Sequence, residues 1–195
     1  MNKPVFAAAL AAALALPAQA VTFESALTQG ATVVTDYSAT GLISFDIDFA
    51  TAQTAQLSYR IDAGDLLQPL ALNAILRNVT GSGVPAYSLA LSTGSFGLVG
   101  TVTRPFGGGT QIGVAGSTAT LNFSTPELLD VQIGNPLGTT LGAIDWTLAG
   151  LQAGDRINLS VAVVPEPGSY ALMLAGLAAM GFIARRRVSR QAELG

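Results

Sequence analysis

The chain has 195 residues, with nine basic and twelve acidic side chains and neither histidine nor cysteine. Without imidazole or thiol groups, Ser-His-Asp and Cys-His catalysis is excluded, as are zinc or copper sites that depend on those ligands. The net charge of −3 makes the phosphate backbone of nucleic acid an unfavourable partner.

The first 20 residues have the layout of a secretory signal peptide. Lys3 is followed by an apolar run, Val5 to Leu16, and then by the small-x-small triplet at 18–20. As a helix this run would be about 18 Å long, which is too short to span a hydrocarbon core of about 30 Å comfortably. We therefore expect an exported protein, cleaved between Ala20 and Val21.

Residues 21–164 are long enough for one domain with its own hydrophobic core. They contain four arginines, no lysine and ten acidic residues, so their net charge is −6. An acidic surface again disfavours nucleic acid, and an exported domain of this length does not depend on disulfides to fold.

Apolar and polar residues alternate with period two through much of this domain, which is typical of strands with one buried face. In the segment LISFDIDFA, Ile43, Phe45, Ile47 and Phe49 share the apolar face. Four later segments repeat the pattern, and their predicted inward residues are Leu57, Tyr59 and Ile61; Ala119, Leu121 and Phe123; Ile144, Trp146 and Leu148; and Ile157, Leu159, Val161 and Val163.

Turn residues separate these segments and some less regular apolar runs, such as residues 70–79, where 72–77 could instead form one helical turn. The pattern predicts roughly nine or ten short strands and an all-β fold, an antiparallel β-sandwich or jelly-roll-like domain.

Two carboxylates share the polar face of the first alternating segment. If 42–50 and 54–62 pair as a hairpin, Asp46 lies opposite Arg60 and Asp48 lies on the same face. One interpretation is a Ca²⁺ site built from Asp46 and Asp48 together with Asp62 or Asp65. The other is a solvated charge pair worth about 0.2–1 kcal/mol, and the spacing does not match an EF-hand.

Paired carboxylates also suit glycoside hydrolysis, but nothing in the pattern would raise the pKa of one of them, so we expect no enzyme and no cofactor. A carbohydrate-binding platform would need exposed aromatic rings. Tyr59 and Trp146 fall on inward faces, which leaves Tyr37, Tyr87 and Phe106 as candidates.

The C-terminal segment, 165–190, combines three features in order. Pro165, Glu166, Pro167 and Gly168 favour an extended, accessible stretch. Residues 169–184 are uncharged and predict a transmembrane helix of about 24 Å. Four arginines follow, and the positive-inside rule keeps them in the cytoplasm: Arg185, Arg186, Arg187 and Arg190.

This order of features resembles the PEP-CTERM sorting signal of Gram-negative bacteria, with the triplet at 165–167 and the basic cluster at 185–187. The resemblance implies processing by an exosortase, a transient membrane anchor, and delivery to the cell surface or extracellular matrix of a host that makes exopolysaccharide. We expect a structural or adhesive role in that biofilm matrix. The alternatives are a carbohydrate-binding module, with or without Ca²⁺, and a polysaccharide-acting enzyme.

Overall fold

The computed structural model describes residues 20–105, 107–165, 172–180 and 182. Within them the chain forms thirteen strands, one 3-10 helix, Ala63–Leu66, and a helical segment at 172–180. The strands are β1 (Thr22–Leu27), β2 (Val33–Asp36), β3 (Leu42–Phe49), β4 (Thr54–Arg60), β5 (Leu70–Asn78), β6 (Val84–Leu91), β7 (Ser95–Phe96), β8 (Val102–Thr103), β9 (Thr110–Ala115), β10 (Thr118–Glu127), β11 (Asp130–Ile133), β12 (Trp146–Ala149) and β13 (Arg156–Val164). The predicted signal peptide lies outside the described residues except for Ala20.

The strands assemble into two sheets. Sheet A has the antiparallel order β1-β4-β13-β6-β10-β9. Sheet B has the order β2-β3-β5-β11-β8, and β12 extends it by pairing with both β5 and β7. Residues from both sheets contribute to one hydrophobic core, which confirms the predicted all-β sandwich.

The core contains most of the residues that the alternation predicted to face inward. The apolar faces of β3, β4 and β13 are almost completely buried, and each large side chain contributes roughly 1.5–3 kcal/mol to folding. Trp146 is fully buried and packs edge-on against Phe96, with ring centroids 5.6 Å apart. Two predictions fail: Ile144 is 54% exposed because it precedes β12, and Phe123 is only partly buried.

The predicted hairpin of β3 and β4 is wrong, because the two strands belong to different sheets. The chain crosses from sheet B to sheet A between them, and Arg60 pairs in register with Thr22 and Arg156 instead of facing Asp46. Alternation identifies the buried face of a strand but carries no information about which sheet the strand joins.

A second crossing returns the chain to sheet B, so β5 runs parallel to β3. This parallel pair departs from the antiparallel expectation. It forms without a crossover helix because the chain runs back along β4, in sheet A, before it enters β5. Residues 72–77 are therefore strand, and the alternative of a helical turn is wrong.

The last strand, β13, lies inside sheet A between β4 and β6. Its final residue, Val164, pairs with Ala86, and the exposed Pro165 follows directly. Residues 172–180 are helical, and their side chains are exposed. No helix in the described part of the chain has the length and apolar character needed to cross a membrane. The predicted span 169–184 lies partly outside the described residues, and Glu166, Pro167, Gly168 and the arginines of 185–190 lie wholly outside them.

Candidate functional site

The outer face of sheet B brings one arginine and three carboxylates together. Arg77 of β5 is in register with Asp48 of β3 on one side and with Asp130 of β11 on the other. Its guanidinium donates to Asp46 at 2.7 Å and to Asp48 at 2.9 Å, and its Nε lies 3.7 Å from Asp130. We call these four residues the Arg77 network.

The network carries more negative than positive charge, since three carboxylates surround one guanidinium. Hydrogen bonding to Asp48 raises the pKa of Arg77, so this cation stays charged. Partial burial raises the pKa of Asp130; Arg77 opposes this shift, while Asp48 and Asp46 reinforce it. The site is therefore an anionic surface that a single internal cation does not neutralise.

The Arg77 network opens into a groove on the same face of sheet B, with a volume of about 710 Å³. We call it the sheet B groove. Its floor is formed by Ser44, Asp46, Asn73, Ile75 and Arg77, all from β3 and β5. Tyr37 lines one side of it, and the loop 135–138 and Asp145 also contribute to its lining.

Asp145 is held in place by the groove's own hydrogen bonds. Its Oδ1 accepts from the Asn135 amide at 2.6 Å, and the side-chain amide of Asn73 lies 3.3 Å from both of its oxygens. Asn73 is only 4% exposed, and its Oδ1 accepts no hydrogen bond from the described residues. The groove thus contains one buried acceptor that the protein itself leaves unsatisfied.

A second arginine cluster, here called the Arg104 clamp, consists of Arg104, Glu127 and Thr125. Arg104 Nε donates to Glu127 at 2.7 Å, and its Nη2 donates to the Thr125 carbonyl at 2.8 Å. Both charged side chains are only 4% exposed. The remaining oxygen of Glu127 accepts from two backbone amides, those of Leu128 and Leu129. The clamp borders a cavity of about 330 Å³, but its two charges are buried and neutralise each other, so it does not depend on a ligand for charge balance.

The proposed calcium ligands are not assembled into a cluster. Asp46 and Asp48 both bind Arg77, whereas Asp62 lies at the N-terminus of the 3-10 helix, where its amide donates to Asp65. No group of three or more His, Cys, Asp or Glu side chains that could hold a metal occurs among the described residues.

The aromatic candidates for a carbohydrate platform differ in their exposure. Tyr37 is 58% exposed and lines the groove, as a platform residue would. Tyr87 is wrong as a candidate because it is fully buried, and burial raises the pKa of its hydroxyl. Phe106 lies outside the described residues.

Sequence reasoning missed Arg77 and Asp130 as partners of the acidic pair. A lone cation in the apolar run 70–79 was an available signal, but its use required knowing that β3 and β5 are neighbours. Asn73 and Asp145 offered no signal, since they lie 72 residues apart in the chain.

The fold and the order of features in the C-terminal sequence give the class of protein: a β-sandwich whose last strand leads into a C-terminal sequence motif. Residues 163–187 match the family model of the PEP-CTERM protein-sorting motif, so that segment is a PEP-CTERM motif, covering 25 of the 195 residues. The motif implies export and exosortase-dependent sorting to the cell surface. No curated protein and no solved structure gave a match to this chain.

Proposed function

We propose that the protein is a non-catalytic, structural or adhesive component of an exopolysaccharide or biofilm matrix. One observation carries this proposal: the sorting motif starts at residue 163, within the final strand of the sandwich. Processing at the triplet 165–167 would therefore remove the tail and leave all thirteen described strands intact.

In this proposal the chain is exported and cleaved after Ala20, and residues 169–184 hold it transiently in the membrane. Arg185, Arg186, Arg187 and Arg190 keep the end of the tail in the cytoplasm. Glu166, between two prolines, is the residue that the exosortase recognises. Because Pro165 directly follows β13, the enzyme would act close to the folded domain.

The sheet B groove favours a second candidate function, that of a carbohydrate-binding module. The groove is concave, it presents both polar and apolar groups, and an exposed tyrosine lines it, which together suit the hydroxyls and ring faces of sugars. This function is compatible with a role in the matrix, because binding the polysaccharide is one way for a surface protein to be retained there.

The delivery proposal is tested by the intact mass and the C-terminal peptide of the protein from the surface fraction of its native host. We expect a C-terminus near residues 165–169 and loss of the helix. Glu166→Ala should leave the tail attached, whereas the matched control Glu193→Ala, beyond the arginines, should be processed normally. A retained tail in the unaltered protein would overturn the proposal.

A further inference from the structure

We propose that the sheet B groove binds a polysaccharide containing free amino sugars, in preference to a neutral or uronic-acid polymer. This inference deepens the proposed matrix function and depends on it for its biological setting. It is carried by four properties of the groove: its shape, its exposed aromatic ring, its charge and its unsatisfied buried acceptor.

The shape suits a chain-like ligand with many hydroxyl groups. The groove is an open surface feature whose volume of about 710 Å³ falls within the usual range for small-ligand sites. Ser44, Asp46 and Asn73 supply hydroxyl, carboxylate and amide groups from neighbouring strands of one sheet. Because these residues stand on paired strands, their backbone positions are fixed before any ligand arrives.

Tyr37 supplies an aromatic face at the groove. The backbone around it is fixed, since its amide donates to the Ser44 carbonyl at 2.8 Å and Ser38 accepts from the Ser44 amide at 3.1 Å. A ring that is 58% exposed on such a support can cover the C–H face of a sugar at little entropic cost.

The charge of the groove selects the kind of sugar. Asp46 and Asp145 line it and the Arg77 network adds Asp48 and Asp130, against the single positive charge of Arg77. Arg77 donates to Oδ2 of Asp46, whose side chain is 12% exposed, and no described residue donates to Oδ1. An ammonium group would form a charge-assisted hydrogen bond there, whereas a uronate carboxylate would be repelled.

Asn73 provides an observation that is independent of charge. Its Oδ1 is a buried acceptor at the groove without a hydrogen-bond partner among the described residues, and such groups are costly to leave unsatisfied. A sugar hydroxyl or amine entering the groove could donate to it after a small side-chain shift. A ligand that donates to this acceptor would therefore stabilise the folded protein.

The test is calorimetric titration of the full chain in mild detergent with three hexamers: β-1,4-linked glucosamine, its fully N-acetylated counterpart and galacturonate. We expect the glucosamine hexamer to bind about tenfold more tightly than the N-acetylated one, because a charge-assisted hydrogen bond is lost on acetylation. Galacturonate should give no measurable heat. Binding of galacturonate at least as tight as that of glucosamine, or binding of none of the three, would overturn the inference.

Variants place the binding in the groove. Tyr37→Ala should weaken glucosamine-hexamer binding about fivefold and Asp46→Asn about tenfold. The matched control is Glu24→Gln, which removes a carboxylate from a salt bridge with Arg156 on sheet A and should bind like the unaltered chain. Unchanged affinity in both groove variants would show that the sugar binds elsewhere. Failure here leaves the mass measurement of C-terminal processing unaffected, so the two proposals are separable.

Discussion

The Arg77 network and the Arg104 clamp use the same pair of chemical groups in opposite ways. In the clamp, one guanidinium meets one carboxylate at 2.7 Å, and both are 4% exposed. In the network, one guanidinium that is 36% exposed meets three carboxylates, two of them about 40% exposed. The first is electrically balanced and closed, whereas the second is unbalanced and open to solvent.

The difference separates a structural ion pair from a site that can accept a ligand. The clamp also has the Arg104 guanidinium 4.7 Å from the Phe123 ring and backbone donors on Glu127, so its hydrogen-bonding capacity is used internally. The Arg77 network leaves negative charge and acceptor atoms directed at solvent. Four predictions, from the largest expected effect to the smallest, and a fifth on sheet A for comparison test this contrast.

Arg104→Met should lower the free energy of unfolding by about 3–5 kcal/mol, because it leaves Glu127 buried and unpaired. Urea unfolding followed by the fluorescence of Trp146, which is fully buried, measures the change. The double variant Arg104→Met/Glu127→Leu should recover part of the loss, since it removes both charges. A loss below about 1 kcal/mol in the single variant would contradict a closed, buried clamp.

Gly134→Ala should cost about 2 kcal/mol or more and should distort the groove. Gly134 has a φ of +68°, and an added Cβ would lie 2.5 Å from Asp145 Oδ1 and 2.9 Å from Asn73 Cβ. The left-handed backbone alone costs about 1–2 kcal/mol for a residue with a side chain.

The control for that prediction is Gly138→Ala, where φ is +66° but an added Cβ meets nothing within 4 Å. Gly138→Ala should cost only the free energy of the left-handed backbone. Urea unfolding of Gly134→Ala and Gly138→Ala measures the difference between the two variants. Equal losses would mean that the packing of Asp145 against Gly134 does not constrain the groove.

Arg77→Lys should reduce stability by less than about 1 kcal/mol, since its ion pairs are partly exposed. A single ammonium cannot reproduce the two-pronged contact with Asp46 and Asp48, so the side chains of the groove should nevertheless become less ordered. Thermal unfolding of Arg77→Lys and Arg104→Lys compares the two losses of stability. The Arg104 variant should lose several times more. The opposite ranking would reverse the assignment of the two clusters.

Asp130→Asn should have the smallest effect, visible mainly in the pH dependence of stability. The folded state raises the pKa of Asp130 above its ordinary 3.8, so it binds the proton more tightly than the unfolded chain does. Stability from this group therefore falls as the pH rises from 3.8 through the folded-state pKa, and the variant should lack that fall. Urea unfolding across this pH window measures it.

Glu24 on sheet A has a pKa shift opposite in sign to that of Asp130. Hydrogen bonding to Arg156 lowers its pKa below the ordinary 4.5, so its contribution is present above 4.5 and is lost as the pH falls through the folded-state value. The unaltered protein should therefore lose stability from Glu24 at acidic pH, and Glu24→Gln should not show that loss. The same sign of change in both variants would contradict the different charge balance of the two outer faces.

The sequence by itself determined the buried faces and the terminal segments of this protein. Alternation in 156–164 is read directly as apolar and polar faces, because successive side chains of a strand point in opposite directions. In 42–49 it located the apolar face, but Ser44 and Asp46 on the polar face are buried as well. The PEP-CTERM motif is likewise contiguous, so its identification needs no fold.

Only the tertiary structure decided which strands are neighbours, and with them the site. Asp46 was predicted to face Arg60 because adjacent segments were expected to form a hairpin, yet its partner is Arg77, 31 residues along the chain. The crossings of the chain between two sheets place β5 between β3 and β11, and that placement alone surrounds Arg77 with three carboxylates. Long-range strand pairing depends on the packing of the whole core, which no local pattern of residues encodes.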